Sequence, residues 1–315
     1  MAVHFATSLV VTILANTVAA GTYLSTSNLV GQGLLDAFYW QTMSDPSHGR
    51  VNYVSESTAQ SSGLVSVSGN QVTLRADSTN VLNPSGPGRN SFRLETYDQY
   101  TTHVAVFDIA HMPEGCGTWP EVGDNWPSEG EIDIIEGVNS QGSNLFSFHT
   151  GGKCSMPSSR SMTGNPSGSL DCDVYDTNDT GCSVSVNDPN NFGPSFNRNG
   201  GGWYAIERTP SFVKMYFWER GSSSVPSDVQ YPGSSVNPDN WGTPTAYYPN
   251  TDCDFSSQLG AQNIIINLTF CGDWAGNSGV WASSGCPSDC VDYVNNNPSA
   301  FGGAYFTFKS INIYE

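Results

Sequence analysis

Short apolar or alternating runs recur along the chain between clusters of Gly, Pro, Ser, Asn and Asp. They include Leu64–Ser68, Val72–Arg75, Ser91–Glu95, His103–Phe107, Leu145–His149, Trp203–Glu207, Val213–Trp218, Asn263–Asn267 and Tyr305–Lys309. Runs of this length, rich in β-branched and aromatic residues and bounded by turn formers, predict β-strands. Patterns with a helical period are few. Short helices are expected in the Ser25–Leu35 region and over Asn295–Ala300. Many short strands with no break into separate units predict an all-β chain, an antiparallel sandwich or barrel. The longest loop-like region, Pro157–Pro194, holds two cysteines and is expected to be stapled rather than disordered.

One run differs from the others in carrying acids. Ser128-Glu129-Gly130-Glu131-Ile132-Asp133-Ile134-Ile135-Glu136-Gly137 sets three carboxylates among isoleucines, with glycines at both ends. On a strand, residues two apart share a face, so Glu131 and Asp133 point together while the isoleucines turn to a core. Strict alternation would put Glu136 on the opposite face. One extra residue, a β-bulge among Ile134 and Ile135, would return Glu136 to the face of the other two. Three carboxylates on one face repel unless a ligand, a proton or a metal answers them. Two carboxyl groups roughly 5–5.5 Å apart are what a retaining glycoside hydrolase needs. A solvated strand face or a calcium site would use the same residue types.

Composition narrows the setting. The first twenty residues contain an apolar run through Leu14 and end in Val18-Ala19-Ala20, which reads as a signal peptide cleaved after Ala20, although Lys and Arg are missing from its start. A single mature domain over 21–315 is expected, secreted and monomeric, with no membrane span, since no later stretch reaches ~20 apolar residues. All eight cysteines fall in that mature part, which argues for disulfides whose pairing the sequence does not choose. Zinc fits less well: Cys286 and Cys290 form the one close pair of the usual kind, and the five histidines are scattered. Asn178-Asp179-Thr180 and Asn267-Leu268-Thr269 match glycosylation acceptors, the second inside a strand-like run. A net charge of −18 with three lysines repels phosphate backbones, so nucleic acid is not an expected partner. A neutral polysaccharide is indifferent to that charge.

Glu131-Ile132-Asp133-Ile134-Ile135-Glu136 resembles the signature of family 16 glycoside hydrolases, in the bulged form of the laminarinase-type members. The similarity runs from about Tyr23 to Glu315, and Asp45-Pro46-Ser47-His48-Gly49-Arg50-Val51-Asn52-Tyr53 is typical of the fungal branch. The resemblance implies a concanavalin A-like β-jelly-roll sandwich with a concave substrate cleft. It also implies hydrolysis of β-1,3-glucan, in some members mixed β-1,3/1,4-glucan, with retention and without a cofactor or metal. Carried over by position, Glu131 would be the nucleophile, Glu136 the general acid/base and Asp133 the assisting carboxylate.

Trp119 and Trp126 flank the motif and match cleft tryptophans, whose flat rings suit the apolar C–H faces of sugars. His149 corresponds to a family histidine near the reacting sugar. Arg93 resembles an arginine that reaches the non-reducing side of the cleft, and Asn52 and Trp274 are further candidates for sugar contact. One departure stands out. The family's Trp-Pro pair is usually followed by a small residue, an apolar residue and another Trp, whereas Pro120 here runs straight into Glu121-Val122-Gly123. A shorter strand beside the acids and a weaker cleft wall are expected. A glucan-binding lectin and a glucan transglycosylase on the same fold are the competing readings.

Overall fold

The computed structural model describes residues 21–121, 127 and 129–315. Residues 1–20, where the signal peptide is expected, and Trp126 lie outside the described residues. The chain forms a β-sandwich. One layer is a nine-stranded antiparallel sheet ordered Ser235–Val236, Tyr23–Leu29, Tyr305–Tyr314, His103–His111, Gly202–Arg208, Phe212–Glu219 and Ala246–Pro249. The hairpin Val65–Ser68/Gln71–Arg75 pairs onto Tyr305–Tyr314. Gly69 sits at φ +58° in its two-residue turn, a conformation that matches the twist of the strands it joins.

The facing layer is built from two four-stranded sheets. In one, Glu131–Asp133, Leu145–His149, Cys182–Ser185 and Asn165–Gly168 are neighbours in that order; in the other, Phe38–Trp40, Arg93–Thr96, Ile265–Phe270 and Thr118–Glu121. The Gln262 side chain donates to the Gly130 carbonyl at 2.7 Å, and the Gly260 N–H donates to the Glu129 carbonyl at 3.0 Å, tying the two together. Between the layers, Phe107, Ile109, Phe306 and Ile311 meet Leu94, Phe146, Phe148, Ile266 and Leu268, all buried in one core. The motif's isoleucines join it: Ile132, Ile134 and Ile135 are 7, 6 and 2% exposed. A second apolar cluster covers the other face of the large sheet, where Trp203, Tyr216 and Trp218 pack under Trp241. Burial on both faces explains why Gly202–Arg208 reads as a continuous run rather than an alternating one.

Ser25–Leu29 is strand rather than helix, because it pairs with the end of Tyr305–Tyr314, while Tyr23 and Leu24 before it pair with Ser235–Val236. Only Gln32–Asp36 of that region is helical. Cys290–Asn296 and the 3₁₀ turn Pro298–Phe301 divide the other helical region between them. Four disulfides join Cys116–Cys286, Cys154–Cys253, Cys172–Cys182 and Cys271–Cys290. The loop-like region is stapled by Cys172–Cys182 and carries the strands Asn165–Gly168 and Cys182–Ser185. Asn178 is exposed, whereas Asn267 is fully buried, so the second glycosylation acceptor is out of reach in the folded chain.

His103 opens the central strand, 6% exposed, with Arg208 opposite it and the Tyr100 ring 5.4 Å away. Burial lowers its pKa to about 4; its contact with the Thr101 carbonyl opposes the shift and the Arg208 charge adds to it. The unfolded chain therefore takes up a proton below about pH 6.5 that the folded chain refuses until about pH 4. Stability falls as pH drops through that window, by about 3 kcal/mol in total from this residue. The melting temperature of His103→Phe is expected to fall less than that of the wild type between pH 7 and 4.5. Parallel curves would show that His103 is not a source of acid sensitivity.

Candidate active site

The acid strand is positioned by glycines at both ends. Gly130 has φ +72°, and a side chain there would run into the Gln258 carbonyl. A side chain at Gly137 would strike the Phe192 ring. Between them, Glu131 pairs with His149, Ile132 with Phe148 and Asp133 with Ser147. Regular pairing stops at Asp133 and resumes where the Leu145 N–H donates to the Glu136 carbonyl at 2.9 Å. Ile134 and Ile135 thus stand opposite Phe146 alone, which is a one-residue bulge at the expected place. It returns Glu136 to the face of Asp133, where the Ser147 hydroxyl donates to Glu136 Oε2 at 2.8 Å.

This face is closed in. Glu131, Asp133 and Glu136 are 7, 1 and 7% exposed, so they do not form a solvated strand face. His149 Nε2 lies 3.2 Å from Asp133 Oδ2, an imidazole set against the middle acid. The Gly181 backbone packs beside that ring where a side chain would not fit. The Ser183 hydroxyl donates to Ser147 Oγ at 2.9 Å, extending a short hydroxyl relay to Glu136. Beneath the site, Tyr248 stacks on Phe148 and donates to the Phe146 carbonyl. Burial pushes its hydroxyl far above the ordinary tyrosine range; Arg160 opposes this, and Asp133 and Glu136 add to it. Single ligand atoms of Asp133, Glu136 and His149 lie within 4.8 Å of one another. One imidazole and two carboxylates are a poor match to calcium, which takes six to eight oxygen ligands.

The flanking candidates are spread over several elements, Trp119 and Arg93 on one four-stranded sheet, Trp274 on the short helix Gly272–Ala275 and Asn52 on a separate ribbon. Trp119, on Thr118–Glu121, is 8% exposed and meets Trp274 edge to face at 5.7 Å, over Val138 and Ala275. Its indole N–H has no hydrogen-bond partner among the described residues. The strand that carries it, Thr118–Glu121, includes the Pro120–Glu121 junction where the family has the extra residues, and residues 122–126 that follow lie outside the described residues. Arg93 lies across from Asn267 and donates from Nε to Gln41 at 2.7 Å; Gln41 in turn bonds Glu95. Asn52 donates to Asn90 Oδ1 at 2.7 Å in a separate two-stranded parallel ribbon.

Sequence reasoning passed over Asn144, Ser147 and Ser183. Period-two alternation from His149 places Ser147 on the acid face, so that one carried a signal. Asn144 lies in a polar stretch that reads as loop.

The family model described as XgeA-like, catalytic GH16 domain matches residues 38–314. A probable endo-1,3(4)-β-glucanase of Aspergillus clavatus is 43% identical over 93% of this chain and 46% of its own length. The chain thus spans about half the length of that relative. Among solved structures, laminarinase 16A of Phanerochaete chrysosporium is 53% identical, with a TM-score of 0.91 over 94% of this chain and all of that one. That structure holds 6-O-glucosyl-laminaritriose in donor and acceptor sites. An elongating family 16 β-1,3-glucosyltransferase is 36% identical, with a TM-score of 0.86 over the same shares.

Proposed function

Because the chain belongs to glycoside hydrolase family 16, its fold the family's jelly-roll sandwich, we propose that it is an endo-acting β-glucanase that cleaves β-1,3-glucan by double displacement. The observation that carries the reading is the bulge, which turns Glu131, Asp133 and Glu136 to one closed face. Glu131 attacks the anomeric carbon as the bond to the leaving oxygen breaks, and Glu136 gives its proton to that oxygen. Glu136 then takes a proton from water, which displaces Glu131 and restores both groups. Asp133, held against His149, lies between them and keeps the nucleophile's surroundings polar. Trp119, Trp126, His149, Trp274, Arg93 and Asn52 are the proposed sugar contacts. Secretion is part of the reading, supported by four disulfides.

Retention is the sharpest consequence. NMR of a fresh laminarin digest is expected to show the β-anomer first, before mutarotation. The α-anomer appearing first would remove both the covalent intermediate and the role of Glu131. A second reading, a glucan transglycosylase, is favoured by the likeness to the elongating glucosyltransferase. Sizing the products from laminarin and from mixed-link glucan separates the two. Hydrolysis gives shorter chains and new reducing ends; transfer gives chains longer than the donor.

A further inference from the structure

A bulge solves one problem and creates another. The extra residue takes backbone groups out of the ladder, and a buried N–H or C=O left without a partner costs about 1–3 kcal/mol. Here the groups affected are the Ile134 carbonyl and the Glu136 N–H. One side chain meets both. Asn144 accepts from the Glu136 N–H through Oδ1 at 3.0 Å, and its Nδ2 donates to the Ile134 carbonyl at 3.0 Å and the Leu145 carbonyl at 3.2 Å. A carboxamide suits the task because it has an acceptor and two donors on one short stem.

Asn144 is itself fixed. It is fully buried, its N–H donates to Asn191 Oδ1, and its carbonyl accepts from the Val186 N–H at 3.0 Å. Asn191 bonds the Asp188 carbonyl, and its own carbonyl accepts from the Tyr204 hydroxyl, on the nine-stranded sheet. The bulge is thereby held from the opposite layer of the sandwich through the core.

We propose that Asn144 is a positioning residue for the acid/base: by clamping the backbone on both sides of Ile135 it aims the Glu136 carboxyl at the glycosidic oxygen. The proposal rests on the reading of Glu136 as acid/base, and the test separates the two. Protonation matters when the leaving group is a sugar hydroxyl and hardly at all when it is an acidic phenol. The kcat/KM of Asn144→Ala is therefore compared on laminarin and on 2,4-dinitrophenyl β-laminaribioside, with Glu136→Ala as control.

A displacement of about 1 Å can lower rate ~10²-fold, and that loss is expected on laminarin. On the dinitrophenyl substrate the loss is expected to stay below about fivefold, because general-acid help is not needed there. Equal losses on both, or none on laminarin, would overturn the proposal. If Glu136→Ala shows no such split, the acid/base reading itself fails; if the control splits and Asn144→Ala does not, only the proposal fails. Asn144→Asp keeps the acceptor for the Glu136 N–H but sets oxygen against the Ile134 carbonyl. It decides the matter if the alanine variant does not fold, and is expected to show the same split. If neither variant folds, Asn144 serves the fold and not the aim of Glu136, and the proposal is withdrawn.

Discussion

Glu131→Gln is expected to yield a folded protein that still binds laminarin but has lost its hydrolysis by a thousandfold or more, a barrier increase of about 4 kcal/mol. Glutamine matches glutamate in size, and the main-chain pairing of this strand with His149, Phe148 and Ser147 does not involve the side chain. What disappears is the anionic carboxylate oxygen proposed to attack the anomeric carbon, and an amide oxygen is too weak a nucleophile to replace it. Asp133 shares the face but has a shorter stem and lies against His149. The substitution also removes one negative charge from a closed cluster of three acids, so the melting temperature should hold or rise. Turnover on laminarin by the purified variant checks the assignment. Retention of more than about a tenth of wild-type turnover, a deficit under ~1.4 kcal/mol, would mean that Glu131 is not the nucleophile. A collapsed melting temperature alongside the lost activity would point to the fold instead.

Much of this site was legible because it depends on local rules. Period two and one bulge are properties of ten consecutive residues, and they placed the isoleucines in the core and three acids on one face. The strand Leu145–His149 was legible for the same reason, and its bounds match the run read from the sequence. What was hidden depends on partners far along the chain. Tyr23–Leu29 is polar enough to read as loop or helix, and it is a strand because Tyr305–Tyr314 pairs with it. Cys286 and Cys290, close in sequence, bond to Cys116 and Cys271 respectively, each set by how the chain returns to the sheet end. Asn144 looks like one more polar loop residue until the register of the acid strand shows which backbone groups the bulge has set free.

Replacing Arg89 by Leu is expected to destabilise the protein by roughly 3–5 kcal/mol, the usual cost of breaking a buried ion pair from one side. The guanidinium is fully buried. Nη1 donates to the Asp77 carbonyl at 2.9 Å and to the Asp77 carboxylate at 3.1 Å, and Nη2 donates to the Val294 carbonyl. Its plane also lies over the Phe301 ring, 4.6 Å from the centroid. Burial pulls its pKa below the usual arginine range and Asp77 pulls it back, so the charge is costly to bury and is kept by its partners. Leucine would leave two buried carbonyls without this donor and would loosen Cys290–Asn296 from the strand Arg89–Ser91. Asp77 would be less stranded than the carbonyls, because Thr79 and Asn80 also donate to it. Lysine keeps the charge but not the fork, so Arg89→Lys should recover less than half of the loss. A fall in melting temperature on the order of 10 °C is expected for Arg89→Leu, with activity at 25 °C largely kept, since the acid strand is braced by other residues. If the melting temperature moves by less than about 2 °C, the arginine is a tolerated burial rather than a tie between that helix and the sheet.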